Sequence, residues 1–465
     1  MTNKLSSFFG GRAFWSVAMR LTIPVALQNL LTCSFSLVDT LMIGRLGDLS
    51  LSAVGMAGQW SWLMGVFLFG FYSGSSVFFA QYWGAGDTRS IRRVAGIMFA
   101  HMIGITAVFT IAAAAAPRLI IGIFNDSPEV ADAGAGYLRI AAWSYLAVGL
   151  SNGMAALLRS TEEVRLPMAA SMISAAANVA LNRLLIFGGS GLPAMGVSGA
   201  AAATVISAWI APAVMLAVSL KRKNIMVTEV GEMLRFDRKL LAKYYRISLP
   251  VAANESLWGL GTMIYNVIFA RIGYEEFAAV TMERTVENVA FSAALGLCSA
   301  ASVMIGMRIG AGDTEEGVRT AERFLILIPI SQIIISAAVI AFREPIIGLF
   351  SGSAGSISEY TAGCAAQIML IYFIEYPLRM IQYILIVGVF RAGGDTRTGM
   401  IFDTVSVWVM AIPVMSVTAF LLRWPLWAVY ISMLVSEDWL KAAACLIHFR
   451  SRKWIKPVTG DNTAG

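Results

Sequence analysis

Apolar residues gather in twelve long runs along the chain, separated by short stretches rich in Gly, Pro and charge. A helix needs about 20 apolar residues to cross a hydrocarbon core of roughly 30 Å, so each run predicts one membrane-spanning helix. The expected spans are 21–43, 53–80, 91–115, 131–157, 165–188, 194–220, 244–271, 277–305, 320–342, 360–390, 398–420 and 424–447. The pattern predicts an all-α membrane protein.

The pattern also repeats. Leu21-Thr-Ile-Pro24, leading to Gly84-Ala-Gly86-Asp87-Thr88, returns as Ile247-Ser-Leu-Pro250, leading to Gly310-Ala-Gly312-Asp313-Thr314, at a constant offset of 226. Further on, Leu158-Arg159-Ser-Thr-Glu-Glu-Val-Arg165 aligns more weakly with Phe390-Arg391-Ala-Gly-Gly-Asp-Thr-Arg397 at an offset of 232. A fixed offset between long hydrophobic halves marks an internal duplication, as in secondary transporters. It predicts an N-terminal segment 1–20, an N-lobe 21–220, a linker 221–243, a C-lobe 244–447 and a tail 448–465. Six spans per half return the chain to its starting side. The repeats are therefore expected to be parallel, related by an axis along the membrane normal, with a central cavity between two six-helix lobes.

Charge orients this arrangement. Lys4, Arg12 and Arg20 precede the first span, and Lys221 to Lys243 carry seven Lys/Arg, whereas the odd-numbered connections hold only Arg45, Arg118, Arg271, Arg343 and Arg423. The positive-inside rule puts both termini in the cytoplasm, in a multi-pass protein of the inner membrane. The stretch before the first span lacks the apolar core of a cleavable leader, so the N-terminus is expected to stay inside. A chain that is 58% hydrophobic, 14% charged and of mean hydropathy +0.71 lies outside the soluble range. Its net charge of +7 sits in short connections, which reads as topology and not as a nucleic-acid footprint. Cys33, Cys298, Cys364 and Cys445 are scattered, and His101 and His448 are the only histidines. No cluster suited to nucleophilic or metal catalysis is visible, so no enzyme activity and no cofactor are expected. His101 reads as packing within a helix and His448 as interfacial.

The Gly-x-Gly-Asp turns admit two readings. Such a sequence surrounds the catalytic Asp of some intramembrane proteases, but here it falls at a cytoplasmic helix end twice, and Gly393-Gly394-Asp395-Thr396 echoes it. A glycine turn whose Asp caps the next helix needs no chemistry.

Ionisable groups within the spans carry more information, because a charge at membrane depth costs several kcal/mol unless it meets a cavity or a partner. Asp39 lies roughly 7 Å below the outer surface by helical rise. Asn178, Asn182 and Thr204 fall at comparable depths on the fifth and sixth spans, giving a carboxylate, two amides and a hydroxyl. Such oxygen ligands suit a proton or Na⁺ and a cationic substrate. The alternative is a structural pair of Asp39 with Arg183, or hydrogen bonding between helices. In the C-lobe, Glu255 and Glu287 are expected at one depth in one cavity, with Glu283 a turn away beside Arg284, and Glu375 and Arg379 four residues apart on the tenth span. Four acids against two arginines predict either a coupling site that holds a proton or a balanced charge network. Adding 226 to Asp39 gives Tyr265, and subtracting it from Glu255 gives Asn29, so the chemistry of the copies has diverged. Asp403 with Trp408, and Glu437 with Lys441, read as packing or interfacial pairs. Trp424, Trp427 and Trp454 read as interface anchors. Trp60, Trp62, Met64, Phe67, Phe71 and Tyr72 mostly face lipid or neighbouring helices, and some could line a substrate cavity.

Together these residues resemble the multidrug and toxic compound extrusion (MATE) family. The landmarks are Pro24 with Gln28-Asn29, Val38-Asp39-Thr40, Ile43-Gly44-Arg-Leu-Gly47, Gly84-Ala-Gly86-Asp87, Asn178-Val-Ala-Leu-Asn182, Phe187-Gly188, Pro193, Gly196-Val-Ser-Gly199-Ala, Pro250, Glu255 and Arg391-Ala-Gly-Gly-Asp-Thr. The resemblance implies two six-helix lobes in a V that export cationic or amphipathic compounds by alternating access in exchange for Na⁺ or H⁺. It implies a first-lobe cation or proton site at Asp39, Asn178, Asn182 and Thr204, and matches Glu255 to an acid some members use for Na⁺, so Na⁺ is expected at Asp39 or Glu255. The family's helix-ten acid has no aligned counterpart: Glu375 is displaced by a turn, and Arg379 stands nearer its place. The partners expected are small cationic or amphipathic substrates and the bilayer, with the chain acting as a monomer and binding no nucleic acid. The competing expectations are a lipid-linked saccharide flippase, a major-facilitator carrier, whose Gly-x-x-x-Asp-Arg/Lys connection is not seen here, and an intramembrane enzyme.

Overall fold

The computed structural model describes residues 11–123, 128–189, 191, 193–227, 230–235, 237–350 and 358–459, so Lys4 and the last six residues lie outside the described part. Twelve long helices form among the described residues. They are α1 (Arg12–Gly44), α2 (Asp48–Gly84), α3 (Thr88–Ala115), α4 (Pro128–Ser160), α5 (Arg165–Phe187), α6 (Gly196–Arg222), α7 (Arg238–Ile272), α8 (Tyr274–Gly310), α9 (Thr314–Ala341), α10 (Glu359–Gly393), α11 (Thr396–Leu421) and α12 (426–450). No strand forms among them; an isolated bridge joins Gly394 and Ile455. Ten of the helices carry a window apolar enough to cross a membrane. The exceptions are α7, which opens on basic residues and carries Glu255, and α12, which carries Glu437, Asp438 and Lys441.

The duplication holds to the residue. Adding 226 to the first and last residues of α2 and α3 gives those of α8 and α9. The Gly-Asp turns are built alike. Gly86, Gly312 and Gly394 take left-handed φ values of 72°, 84° and 95°, a region glycine enters at little cost. The following aspartates then cap the next helix: Asp87 accepts from the Ser90 N–H at 3.0 Å, Asp313 from Glu316 at 3.2 Å and Asp395 from Thr398 at 3.4 Å. Carboxylates engaged in this way are helix caps, so the protease reading loses the aspartates it requires.

The chain divides into two compact units, an N-unit of Leu27–Ala252 and a C-unit of Met1–Ala26 with Ala253–Gly465. The divisions fall inside α1 and α7, two residues after Pro24 and two after Pro250, where each proline removes one helical hydrogen bond. Within the N-unit, a Cβ at Gly70 of α2 would collide with the Ala252 backbone of α7. Within the C-unit, a Cβ at Gly296 of α8 would meet Ala26 and the Thr22 carbonyl of α1. Gly70 and Gly296 are themselves 226 apart, so both copies use the same small residue for a close helix crossing.

The linker is tied down in the N-unit. A short 3₁₀ turn, Val230–Leu234, brings Glu232 to the start of α3, where it accepts from Arg89 Nε at 3.0 Å, Arg93 Nε at 3.1 Å and Arg235 Nη1 at 3.3 Å. The Arg89 hydrogen bond, aided by Arg93 and outweighing the cost of burial, holds the Glu232 carboxyl down at about 2. A depressed pKa means the contact stabilises docking at neutral pH and is lost as pH falls from the ordinary glutamate range, about 4.3, towards 2. Amide exchange at residues 230–235, corrected for its intrinsic pH dependence, should stay slow down to about pH 4 and accelerate below it. Glu232→Gln should release the linker at neutral pH, seen as several-fold faster tryptic cleavage after Arg235 or Arg238.

Candidate functional site

In the N-unit, α1 supplies Asp39, α5 supplies Asn178 and Asn182 one turn apart, and α6 supplies Thr204 and Ser207. The i,i+4 spacing on α5 stacks the two amides on one face. Asn182, wholly buried, donates through Nδ2 to Asp39 Oδ1 at 2.5 Å and to Asn178 Oδ1 at 3.1 Å. Asn178 Nδ2 donates onward to Ser207 Oγ at 3.1 Å. Among the described residues no hydrogen bond joins Thr204 directly to Asp39 or the amides, although Ser207 Oγ donates to its carbonyl at 3.1 Å. The Thr204 hydroxyl donates to the Ala200 carbonyl at 3.0 Å and is hydrogen-bonded to Tyr137 of α4. Tyr137 went unnoticed in the sequence because its run reads as plain apolar helix. Arg183 is exposed, and no ion pair joins it to Asp39 among the described residues. The carboxylate is half-buried, and Asn182 Oδ1 beside it is buried without a partner. A carboxylate with an unanswered amide oxygen is a donor set that fits a proton or a small monovalent cation.

The C-unit is organised differently from expectation. Glu255 of α7 is ion-paired with Arg391, which is 3% exposed, and its acidic neighbour is Asp403, not Glu287. The guanidinium engages Oε1 of Glu255. Glu287 instead accepts from the Tyr372 hydroxyl, Glu283 accepts from Tyr430 at 2.9 Å, and Arg284 donates to Asn266 in place of the expected pairing with either acid. Among the described residues Arg379 forms no ion pair with Glu375. It pairs with Asp438 at 2.7 Å and Glu437 at 3.3 Å, residues of α12 that lie in a π-helical turn, Val435–Trp439. Lys441 reaches Asp403 at 3.3 Å, Glu437 at 3.5 Å and Asp438 at 3.7 Å, and Asn254 donates to Asp403 at 3.0 Å. Glu375 lies beside Asp438 with both its oxygens buried and without a well-formed hydrogen bond.

Asp403, Glu437 and Lys441 are thus members of one buried network and not separate packing pairs, and Trp408 donates to the Leu257 carbonyl instead. Asp438 and Gln382, which is bonded to it, were not among the residues singled out from the sequence. The copies nonetheless keep one correspondence. Tyr265, at the place of Asp39, donates to Glu437 at 3.1 Å, so this position of the duplicated helix faces polar chemistry in both units.

Of the smaller expectations, the one for Trp454 changes. Trp454 is fully buried and not an interface anchor, while Trp424 and Trp427 are 44% and 46% exposed. His448 meets an acid, with Nε2 2.8 Å from Asp395 Oδ2. His101 stacks on Phe71 and is hydrogen-bonded to Tyr245 at 2.8 Å. With Phe67, Val108 and Phe109 it lines an apolar groove of about 490 Å³ in the N-unit.

A family model described as MatE matches residues 24–184 and 250–417. A protein of Thermotoga maritima named "Probable multidrug resistance protein NorM" is 25% identical over 94% of this chain and 92% of its own. Among solved structures, a mutant of the Vibrio cholerae MATE transporter VcmN superposes with a TM-score of 0.85 at 19% identity, covering 96% of this chain and all of that one. A MOP superfamily transporter from Pyrococcus furiosus gives 0.84 at 18% identity over 96% and 97% of the two chains. At these identities the structures establish the fold.

Removing one partner from a buried charge network leaves the others uncompensated, at a cost of about 3–5 kcal/mol. Arg379→Met should therefore lower the thermal unfolding midpoint in detergent markedly, and adding Asp438→Asn should recover part of the loss. An unchanged midpoint in the single variant would show that the network is not a stabilising unit.

Proposed function

The chain belongs to the MatE family, whose members are membrane transporters and not enzymes, and on that premise we propose that it exports cationic or amphipathic small molecules in exchange for Na⁺ or H⁺. The observation that carries the proposal is the chain of contacts Asp39–Asn182–Asn178–Ser207, a half-exposed carboxylate backed by amides from a neighbouring helix. Ion binding neutralises Asp39 and changes which hydrogen bonds the amides make. An ion that binds one state of the site more tightly than the other shifts the protein between them, which is the requirement for alternating access. Glu255, Glu283, Glu287 and Glu375 with Arg379 form the second set of groups on the transport path, in which Arg391 holds Glu255 while the Tyr430 and Tyr372 hydroxyls hold Glu283 and Glu287. The multidrug name borne by the Thermotoga maritima relative supports a broad substrate class. The bacterial relatives and the basic connections favour the cytoplasmic membrane with both ends inside, where we take the chain to act as a monomer.

Asp39→Asn is nearly isosteric, so the protein should fold normally. Ion-driven efflux of a fluorescent cation from proteoliposomes should nevertheless fall by about tenfold or more, the equivalent of roughly 1.4 kcal/mol of lost coupling. Applying a Na⁺ pulse and a pH pulse separately identifies the ion. Efflux that keeps its full dependence on the gradient in this variant would sink the assignment.

A further inference from the structure

In each half of the chain, the segment after the last helix returns to the turn between the fourth and fifth helices. Behind α6, Asn224 Nδ2 donates to Glu163 Oε2 at 2.9 Å, and Arg222 pairs with the same carboxylate at 2.9 Å. Behind α12, Lys456 Nζ pairs with Asp395 Oδ1 at 2.8 Å. Glu163 and Asp395 are 232 apart, as are Asn224 and Lys456, so the strap is a duplicated feature that kept its contact while changing its residues.

The second strap is closely built. Trp454 is fully buried, stacks on Phe449 with ring centroids 5.8 Å apart, and donates its indole N–H to the Phe449 carbonyl at 3.1 Å. Its ring and carbonyl lie so near Gly393 that a Cβ there would collide with both. The Lys456 N–H donates to the Gly393 carbonyl at 2.7 Å, and left-handed Gly394 passes against the Lys456 carbonyl. His448 holds the other oxygen of Asp395. The hydrogen bonds from Lys456, Thr398 and His448 outweigh the cost of burial and keep the Asp395 carboxyl below its ordinary range, so it meets the strap as an anion. Arg391 stands two residues before Gly393, and its own carbonyl accepts from the Gly394 N–H at 2.9 Å. Its side chain is the one that pairs with Glu255 of α7.

We propose that the strap Trp454–Lys456 is a positioning element for Arg391 and, through it, for the Glu255 carboxylate. Four attachments fix the turn from which Arg391 projects: the Trp454 ring, the Lys456 N–H, the Lys456 ammonium and the His448 ring. A charged pair is sensitive to displacements of about an ångström, so loosening the turn loosens the guanidinium. The role in transport rests on the reading that Glu255 lies on the path; the positioning itself does not.

The test labels the full-length protein in detergent with an apolar carbodiimide, which modifies accessible carboxyl groups, and reads Glu255 by peptide mass spectrometry. Arg391→Ala sets the signal of an unguarded Glu255. Trp454→Ala and Lys456→Ala should raise labelling about threefold or more, as expected for losing an interaction of up to ~1 kcal/mol, while Lys456→Arg and Trp454→Phe should stay near wild type. Should Trp454→Ala fail to fold, Lys456→Ala, whose ammonium is half-exposed, decides the matter. The proposal is overturned if Arg391→Ala leaves labelling unchanged. It is equally overturned if Arg391→Ala raises labelling while folded strap variants do not. Raised labelling in strap variants with unaltered transport kinetics keeps the positioning role and removes Glu255 from the transport path.

Discussion

A polar group placed in hydrocarbon must be answered from inside the protein, and this constraint shapes every part of the structure. The helices answer the backbone. Side chains are answered across helices, and the two units do this in opposite ways. The N-unit places one carboxylate, Asp39, against neutral amides and leaves the Asn182 oxygen unanswered. The C-unit gathers Arg379, Lys441, Glu437, Asp438 and Asp403 into mutual pairs, so that α12 carries charge in a stretch otherwise suited to lipid. Compensated charge is rigid and costly to disturb, whereas a half-answered acid is free to exchange its ion.

The duplication explains how one scaffold supports both solutions. Glycines at 70 and 296, prolines at 24 and 250 and capping aspartates at 87 and 313 all keep the 226 offset, because each meets a backbone requirement that admits few residues. Side chains that face the polar interior carry no such requirement. Tyr265 stands at the place of Asp39 in the other copy, and its hydroxyl donates to Glu437.

How much of the site was legible depended on where its members lie in the chain. Asn178 and Asn182 sit on one face of one helix, and Asp39 is a lone acid in an apolar run, so depth along the helices sufficed to group them. Arg379 and Asp438 lie 59 residues apart on different helices, and nothing in either run points to the other. Local spacing misled in the same region: Glu375 and Arg379 have the i,i+4 separation of a helical pair, yet the arginine turns to two acids on α12 because they satisfy it more completely. The tail was misread for a similar reason. Tryptophan near a membrane end has the composition of an anchor, but Trp454 is buried because Gly393 leaves room for its ring.

The sequence by itself determined the twelve helices, their duplication, the capped Gly-Asp turns and the family, since hydrophobic run length, glycine conformation and helix capping are decided within a few residues. Only the tertiary structure decided which acids are guarded and by what: Glu255 by Arg391, Glu437 and Asp438 by Arg379 and Lys441, and Asp395 by the C-terminal strap. The physical reason is that a buried charge accepts whichever partner the packing of distant segments brings within about 3–4 Å, and that choice is written in no single stretch of chain.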